Sequence, residues 1–420
     1  MWHGLAKEFA KQGHEVTILA KAFPGQPETE NRDGIRIVRW GGYGLTTSLA
    51  ADLVKCFFYA VGAVRRMPAG DVVVTNDFWT PALLPRLRPD AGRVFLNANR
   101  YPKHQYWLYG KVAGISAASG EVASEIERQA PKLAGRIKVV PNAIDSCFLE
   151  NEGDRLRLRL RLRNEEEKRS PLTVLYAGRI HPEKGIEILI EAWRLLRERW
   201  RKENFEGDRR KEIGPLKPSP AHPSKSLREI EEERFRAGIG DRESLKGENT
   251  PHSYLLSTIS HAQARLRIVG PWRKEQGGGG AEYLESLKKK AEGVEWGEPI
   301  FDRAKLAEEY RGADLFVYPS LAESGEAMPL GPVEAMGCGA VPVVSDLKVF
   351  GEYLVPGKNG WTFNHRERGA ENLAAVLANA LSADLTKMRE EARRTAGKFS
   401  PARIAELHLE FFQAVGKKSD

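Results

Sequence analysis

Cysteine is scarce in this chain: Cys56, Cys147 and Cys338 are the only three in 420 residues. Their number is odd, they lie far apart, and none has the short paired spacing of a zinc site or a disulfide framework. A small stapled scaffold is thereby excluded, and a reducing cytoplasm is the compartment expected. Long apolar runs are lacking too. No stretch approaches the roughly 20 consecutive apolar residues that cross a bilayer, so an integral membrane protein is not expected. The first segment, "MWHGLAKEFAKQGHEVTILAK", shows no signal-peptide pattern.

What is present is ordinary soluble composition with a cationic bias. Hydrophobic residues make up 41% and charged ones 29% of a chain long enough for two domains, each able to bury its own core. A formal net charge of +8 favours anionic partners, whether phosphate-bearing small molecules, acidic lipid surfaces or nucleic acid. Composition leaves the three open.

Apolar periodicity alternates between helix and strand. The opening helix carries Leu5, Phe9 and Ala10 on one side, and a strand over His14 to Ala20 follows. Such a helix normally joins one parallel strand to the next, so the pattern starts mid-unit and the first strand of its domain is expected to be missing. The runs "GIRIVRW", "DVVVTND", "RVFLNA" and "IKVVPNAID" are short and rich in Val and Ile, like parallel strands covered on both faces. With the helical segments between them they predict one doubly wound α/β domain over residues 1–150. The series "LTVLYAGR", "ARLRIVGP", "GVEWGE", "ADLFVYPS" and "AVPVVSD" predicts a second over 170–400. The Arg- and Leu-alternating stretch between the two reads as a solvated linker.

Residues 199–261 interrupt the second domain. They are charged, Pro-containing and poor in apolar residues, so a largely disordered insertion is expected, with a helix over Leu227 to Arg236. The final segment, 401–420, carries Ile404, Leu407, Phe411 and Val415 at helical spacing and is expected to pack back toward the first domain.

Two stretches carry chemistry. In "VLYAGRIHPEKG" a strand ends at Gly178 and delivers Arg179 at its carboxyl end, with Lys184 following at a helix start. Ligands of open α/β sheets sit outside the carboxyl ends of strands, where helix amino termini add free N–H groups; two cations there make a diphosphate cradle. The next strand ends in a similar way at Gly270, in "RIVGP". In "GEAMPLGPVEAMGCG" Glu326 lies in a loop. Glu334 follows eight residues later in or just after the first turn of a helix, which Pro329 and Pro332 introduce and Gly337 to Gly339 end. A carboxylate accepts two hydrogen bonds from a diol, so this pair can hold two sugar rings of one nucleotide sugar. Plainer alternatives stay open at this level: Arg179 in a surface ion pair, Glu334 complementing the helix dipole, Glu326 a solvated loop acid.

These stretches in this order, together with "VVPNAID", "VEWGE", "YRGADLFVYPS" and "NGWTF", resemble the family-four retaining glycosyltransferases (glycosyl transferases group 1) over nearly the whole chain outside the insertion. The resemblance implies the GT-B fold, in which two Rossmann-like domains face a cleft, the first binding acceptor and the second a nucleotide-sugar donor. Arg179 and Lys184 would neutralise the diphosphate leaving group beside Gly178 and Gly270. Glu326 would contact the transferred sugar and Glu334 the ribose. Trp296 and Ile300 would lie by the base, and Leu330 and Gly331 would offer N–H groups to a phosphate. The implied reaction is front-face displacement without metal or other cofactor, and the absence of any Asp-x-Asp pair agrees with it. The implied acceptor is a glycan, a glycolipid or another hydroxyl compound, lipid-linked ones included, and nucleic acid is not an implied partner.

The chain also departs from the family pattern. Met328 and Pro329 replace the usual Phe-Gly, and proline removes one backbone donor. Asn97, Ala98 and Asn99 stand where members carry a histidine, and His104 nearby is assigned no catalytic role. The strand and Gly-rich loop that precede the first helix in the family are absent, so a truncated first domain is expected. A non-catalytic nucleotide-sugar-binding or complex-partner protein is therefore a second expectation, while a nucleic-acid binder rests on net charge alone. The segment "LVKCFFYAVGAVRRM" joins an apolar surface to two arginines. Attachment to the inner face of the cell membrane and packing against the first domain's sheet account for it equally.

Overall fold

Strands and helices alternate as the apolar periods dictate in a computed structural model that describes residues 2–44, 48–150, 171–212, 264–323 and 325–416. Met1–Leu196 and Gln263–Asp420 form one compact unit, and Arg197–Ala262 form another. The first half opens with α1 (Trp2–Lys11), β1 (Val16–Ala20), β2 (Thr29–Arg32) and β3 (Ile35–Arg39). It continues through α2 (Leu49–Arg66), β4 (Val72–Thr75), α3 (Thr80–Leu87), β5 (Arg93–Ala98), β6 (Gly114–Ala117), α4 (Gly120–Gln129) and β7 (Ile137–Val139).

Its strands form two sheets, in the orders β1-β3-β2 and β4-β5-β6-β7. Both β1 and β4 are edges. They are apolar along their length, yet only Thr75 among their residues is buried, whereas β6 is buried throughout. Helix α1 serves both sheets: Ala6 and Ala10 pack with Ile35, Ile37, Val16 and Ile18, and Phe9 packs with Val72, Val74 and Phe95. Strand β2 has no apolar period to announce it. It pairs antiparallel with β3 through Asp33 and Gly34 at φ 56° and 76°, a two-residue Asp-Gly turn with both angles positive.

The second half contains β8 (Leu172–Ala177), α5 (Ile186–Glu212), β9 (Ala264–Val269), α6 (Ala281–Lys290), β10 (Val294–Gly297), α7 (Arg303–Arg311) and β11 (Leu315–Tyr318). Then come α8 (Leu330–Gly337), β12 (Val341–Ser345), β13 (Trp361–Phe363), α9 (Gly369–Ser382), α10 (Thr386–Gly397) and α11 (Pro401–Gly416). The strands pair in parallel in the order β10-β9-β8-β11-β12-β13. The chain builds outward from β8 to β10, then returns to the other side of β8 to lay down β11. Strand order reverses between β8 and β11, and a crevice opens at such a reversal, outside the carboxyl ends of the two strands.

Helix α5 continues to Glu212, so 199–212, read from the sequence as the start of a disordered insertion, are helical. Arg, Lys and Glu are good helix formers, and the stretch needs no apolar stripe to propagate from the turns before it. The remainder of that insertion, with Leu227 to Arg236, lies outside the described residues, as do 151–170.

Helix α11 lies against the first half. Phe411 packs edge-on and Phe412 tilted against Phe95, at 5.3 and 4.6 Å between ring centroids, and Arg93 donates to the Phe412 carbonyl at 3.0 Å. The Glu352 carboxylate accepts the Gly120 N–H at 2.9 Å, at the amino terminus of α4. Ala327 packs into the first half's core, and Asn142 donates its N–H to the Met328 sulfur at 3.1 Å. The loop carrying Glu326 is thereby held between the halves.

Candidate functional site

Two glycines fix the geometry where strand order reverses. Gly185, at φ 65°, follows the short turn Pro182–Lys184, and a Cβ there would stand 2.0 Å from the Pro319 carbonyl at the end of β11. Gly270, at φ 152°, ends β9, and its Cβ would stand 1.7 Å from the Gly178 carbonyl beyond β8. Only glycine allows both approaches. Lys184 is brought across to Glu326 and pairs with it, Lys184 being 7% exposed. Glu326 also accepts from the Ser320 hydroxyl at 2.7 Å and the Tyr318 hydroxyl at 3.0 Å. Removing an ion pair from water costs several kcal/mol per ion, of which attraction and added hydrogen bonds return a part. A cation and an acid buried together where a crevice opens are therefore poorly explained by stability alone.

Arg179 stands at the rim, about two-fifths exposed. It donates to Glu183 at 2.6 Å and to the Gly277 carbonyl at 2.9 Å, while its own carbonyl accepts the Tyr176 hydroxyl at 2.7 Å. Burial acts to raise the Glu183 carboxyl, but Lys184 and Arg179 outweigh it and hold the group below the ordinary carboxylate range. Glu183, which the sequence reading did not single out, thus stands between both cations.

Glu334 is 3% exposed, in the second turn of α8. Arg303, the first residue of α7, donates to it at 2.5 Å, and the Tyr310 hydroxyl lies 3.5 Å away. Burial pushes the Glu334 carboxyl up; Arg303 and Tyr310 oppose that rise. Leu330 and Gly331 begin α8, Pro329 is its N-cap, and Pro332 contributes no N–H. The first turn therefore presents the donors of Leu330 and Gly331.

Trp296 is half-buried within β10, whereas Ile300 lines an open groove with Arg265, Arg267, Lys305 and Glu309 on the flank of α7. Asn97 is buried at the end of β5 and donates to the Ser116 hydroxyl at 3.1 Å, with its amide oxygen unpartnered. His104 is exposed, at φ 61°. Among the described residues no cluster of three or more His, Cys, Asp or Glu could hold a metal ion, and no helix is long and apolar enough to cross a membrane. Helix α2 buries Ala60, Ala63 and Val64 and leaves Val54 and Phe58 exposed one turn apart, so its apolar surface is only partly used in packing.

The two halves match different sequence models. Residues 1–147 match Glycosyltransferase Family 4, and residues 252–399 match Glycosyl transferases group 1. The alpha-maltose-1-phosphate synthase of Mycolicibacterium smegmatis is 33% identical over 141 residues, which span 31% of this chain and 35% of that protein. The chain is similar in structure to sucrose-phosphate synthase from Thermosynechococcus elongatus, with TM-score 0.63, 18% identity, and 99% and 92% of the two chains covered. A glycosyltransferase from Rickettsia africae is similar at TM-score 0.63 and 14% identity, with 99% and 94% covered. Anabaena HepE, solved in complex with UDP-glucose, is similar at TM-score 0.56 and 15% identity, with 95% and 100% covered.

Proposed function

Because its first half matches the family-four glycosyltransferases and its second half the group 1 glycosyl transferases, the chain is a member of the GT-B glycosyltransferases, and we propose that it moves a sugar from a nucleoside-diphosphate sugar to a hydroxyl acceptor with retention of configuration. The observation that carries this reading is the buried Lys184–Glu326 pair at the reversal of strand order. Arg179 leaves Glu183 for the diphosphate; exposed ion pairs are worth about 0–1 kcal/mol, so a multiply charged ligand displaces the carboxylate readily. Lys184 and the first-turn donors of α8 stabilise the departing phosphate, where preorganised charge acts most strongly. Glu326 accepts from a hydroxyl of the transferred sugar and Glu334 from the ribose.

The acceptor oxygen bonds to the anomeric carbon on the face from which the phosphate oxygen departs, and the acceptor's proton passes to that oxygen. No step in this scheme needs a metal. The acceptor, a glycan or a lipid-linked hydroxyl compound, enters from the first half. Exposed Val54 and Phe58, with Arg65 and Arg66 at the end of α2, would rest such an enzyme on the anionic inner face of the cell membrane. Assay of labelled nucleotide sugars tests the chemistry: hydrolysis or transfer is expected, falling on the order of 10²-fold in Lys184→Ala. Tight donor binding with no turnover under any acceptor would instead support a non-catalytic binding partner.

A further inference from the structure

We infer that Arg303 is the positioning residue for ribose recognition: its guanidinium keeps Glu334 as a carboxylate whose free lone pairs accept both hydroxyls of a ribose. The inference rests on the proposed role of Glu334. It begins from an ion pair in which Glu334 is buried at 3% exposure while Arg303 remains 46% exposed at the side-chain level. An isolated carboxylate at such depth would neutralise itself by taking up a proton. A protonated carboxyl donates through one oxygen, and a diol then meets one acceptor and one donor instead of two acceptors.

The partners are distributed to leave room. A carboxylate has about four lone-pair sites. Arg303 takes one on Oε1 and Tyr310 one on Oε2, so each oxygen retains a further site. Three contacts unrelated to any ligand hold the arginine and the helix start that carries it. Asp302 caps α7 by accepting the Lys305 N–H at 2.9 Å, the Arg303 carbonyl accepts from the Cys147 thiol at 3.6 Å, and the Phe148 ring lies 4.6 Å from the guanidinium carbon. Of the groups that act on the Glu334 carboxyl, Arg303 and Tyr310 from α7 favour its ionisation and Asp145, from the turn before Cys147, opposes it. Arg303 is thus the one cation among these groups. Without it, burial and Asp145 act on Glu334 in the same direction.

The test is calorimetric titration of the full chain with UDP, 2′-deoxy-UDP and inorganic pyrophosphate between pH 5.5 and 8.5, with GDP and ADP replacing UDP should the base differ. In Arg303→Gln the preference for the ribonucleotide is expected to fall about tenfold or more at pH 7 and to recover as pH rises, a tenfold change corresponding to one pKa unit. The sign follows from the acid: ribose binding needs the carboxylate, so it is lost as pH falls through the Glu334 pKa, and removing Arg303 moves that loss to higher pH. Arg303→Lys should restore much of the preference. Pyrophosphate binding should be unchanged in both variants, which also reports an intact fold. Arg303→Gln with the wild-type preference and pH profile, while Glu334→Gln loses the preference, would overturn the role of Arg303 alone. Loss of no preference in Glu334→Gln, or no nucleotide binding by the wild-type chain, would overturn the reading of Glu334 and the inference together.

Discussion

Gly270 and Lys184 exert opposite kinds of control over the site, one by having no side chain and the other by burying a charged one. Gly270→Ala would place a methyl group 1.7 Å from the Gly178 carbonyl at a φ of 152°, so the ends of β8 and β9 must separate. A loss of about 3 kcal/mol or more is expected, read as a fall in melting temperature with activity lost at the same time. Lys184→Ala removes a cation and leaves Glu326 buried with two hydroxyl donors, a change that destabilises by about 3–5 kcal/mol. Adding Glu326→Gln should recover most of that stability and none of the turnover, which separates the two roles of the pair by chemical denaturation and rate measurement. The positions of Arg179, Lys184, Glu326 and Glu334 were legible because each lies at a fixed offset from a strand end or a helix start. Arg303 was not, since its partner lies 31 positions away and nothing beside it in the sequence marks the contact.

Helix α11 shows what an element adds beyond its apolar stripe. His408 is buried between Trp2, at 5.4 Å, and Phe412, at 5.6 Å, and its Nδ1 has no hydrogen-bond partner. Burial lowers its pKa to about 4. A base neutral in the folded chain takes up a proton on unfolding below its ordinary value near 6.5, so stability falls as pH drops from about 6.5 toward 4, by up to roughly 3 kcal/mol. Thermal melts at pH 7 and 4.5 should show a smaller pH-dependent loss in His408→Gln than in the wild type. The stripe of Ile404, Leu407 and Phe411 could be read from its 3.6-residue period, but the identity of the surface it covers is non-local. The same limit applies to strands. β4 and β5 were visible as apolar runs, whereas the division of the first half into two sheets depends on which edges pair, and β2, with the sequence Thr-Glu-Asn-Arg, had no period to detect.

At the scale of the molecule, strand order alone locates the site. The reversal between β8 and β11 puts the Gly178–Lys184 turn beside Ser320 and Glu326, and Ala327 and Met328 then reach the first half. The alternation of strand and helix was legible from the apolar periods, and the crevice followed from a general rule of parallel sheets. The central claim is that this crevice binds an activated sugar through Lys184. The most direct measurement is calorimetric titration of the full chain with UDP-glucose and with the ADP- and GDP-linked sugars. Saturable one-site binding of at least one is predicted, weakened more than about tenfold in Lys184→Met, as expected for losing a charge-assisted contact of about 1.5–3 kcal/mol. Undiminished affinity in that variant, or no binding of any of the three by the wild-type chain, would contradict it.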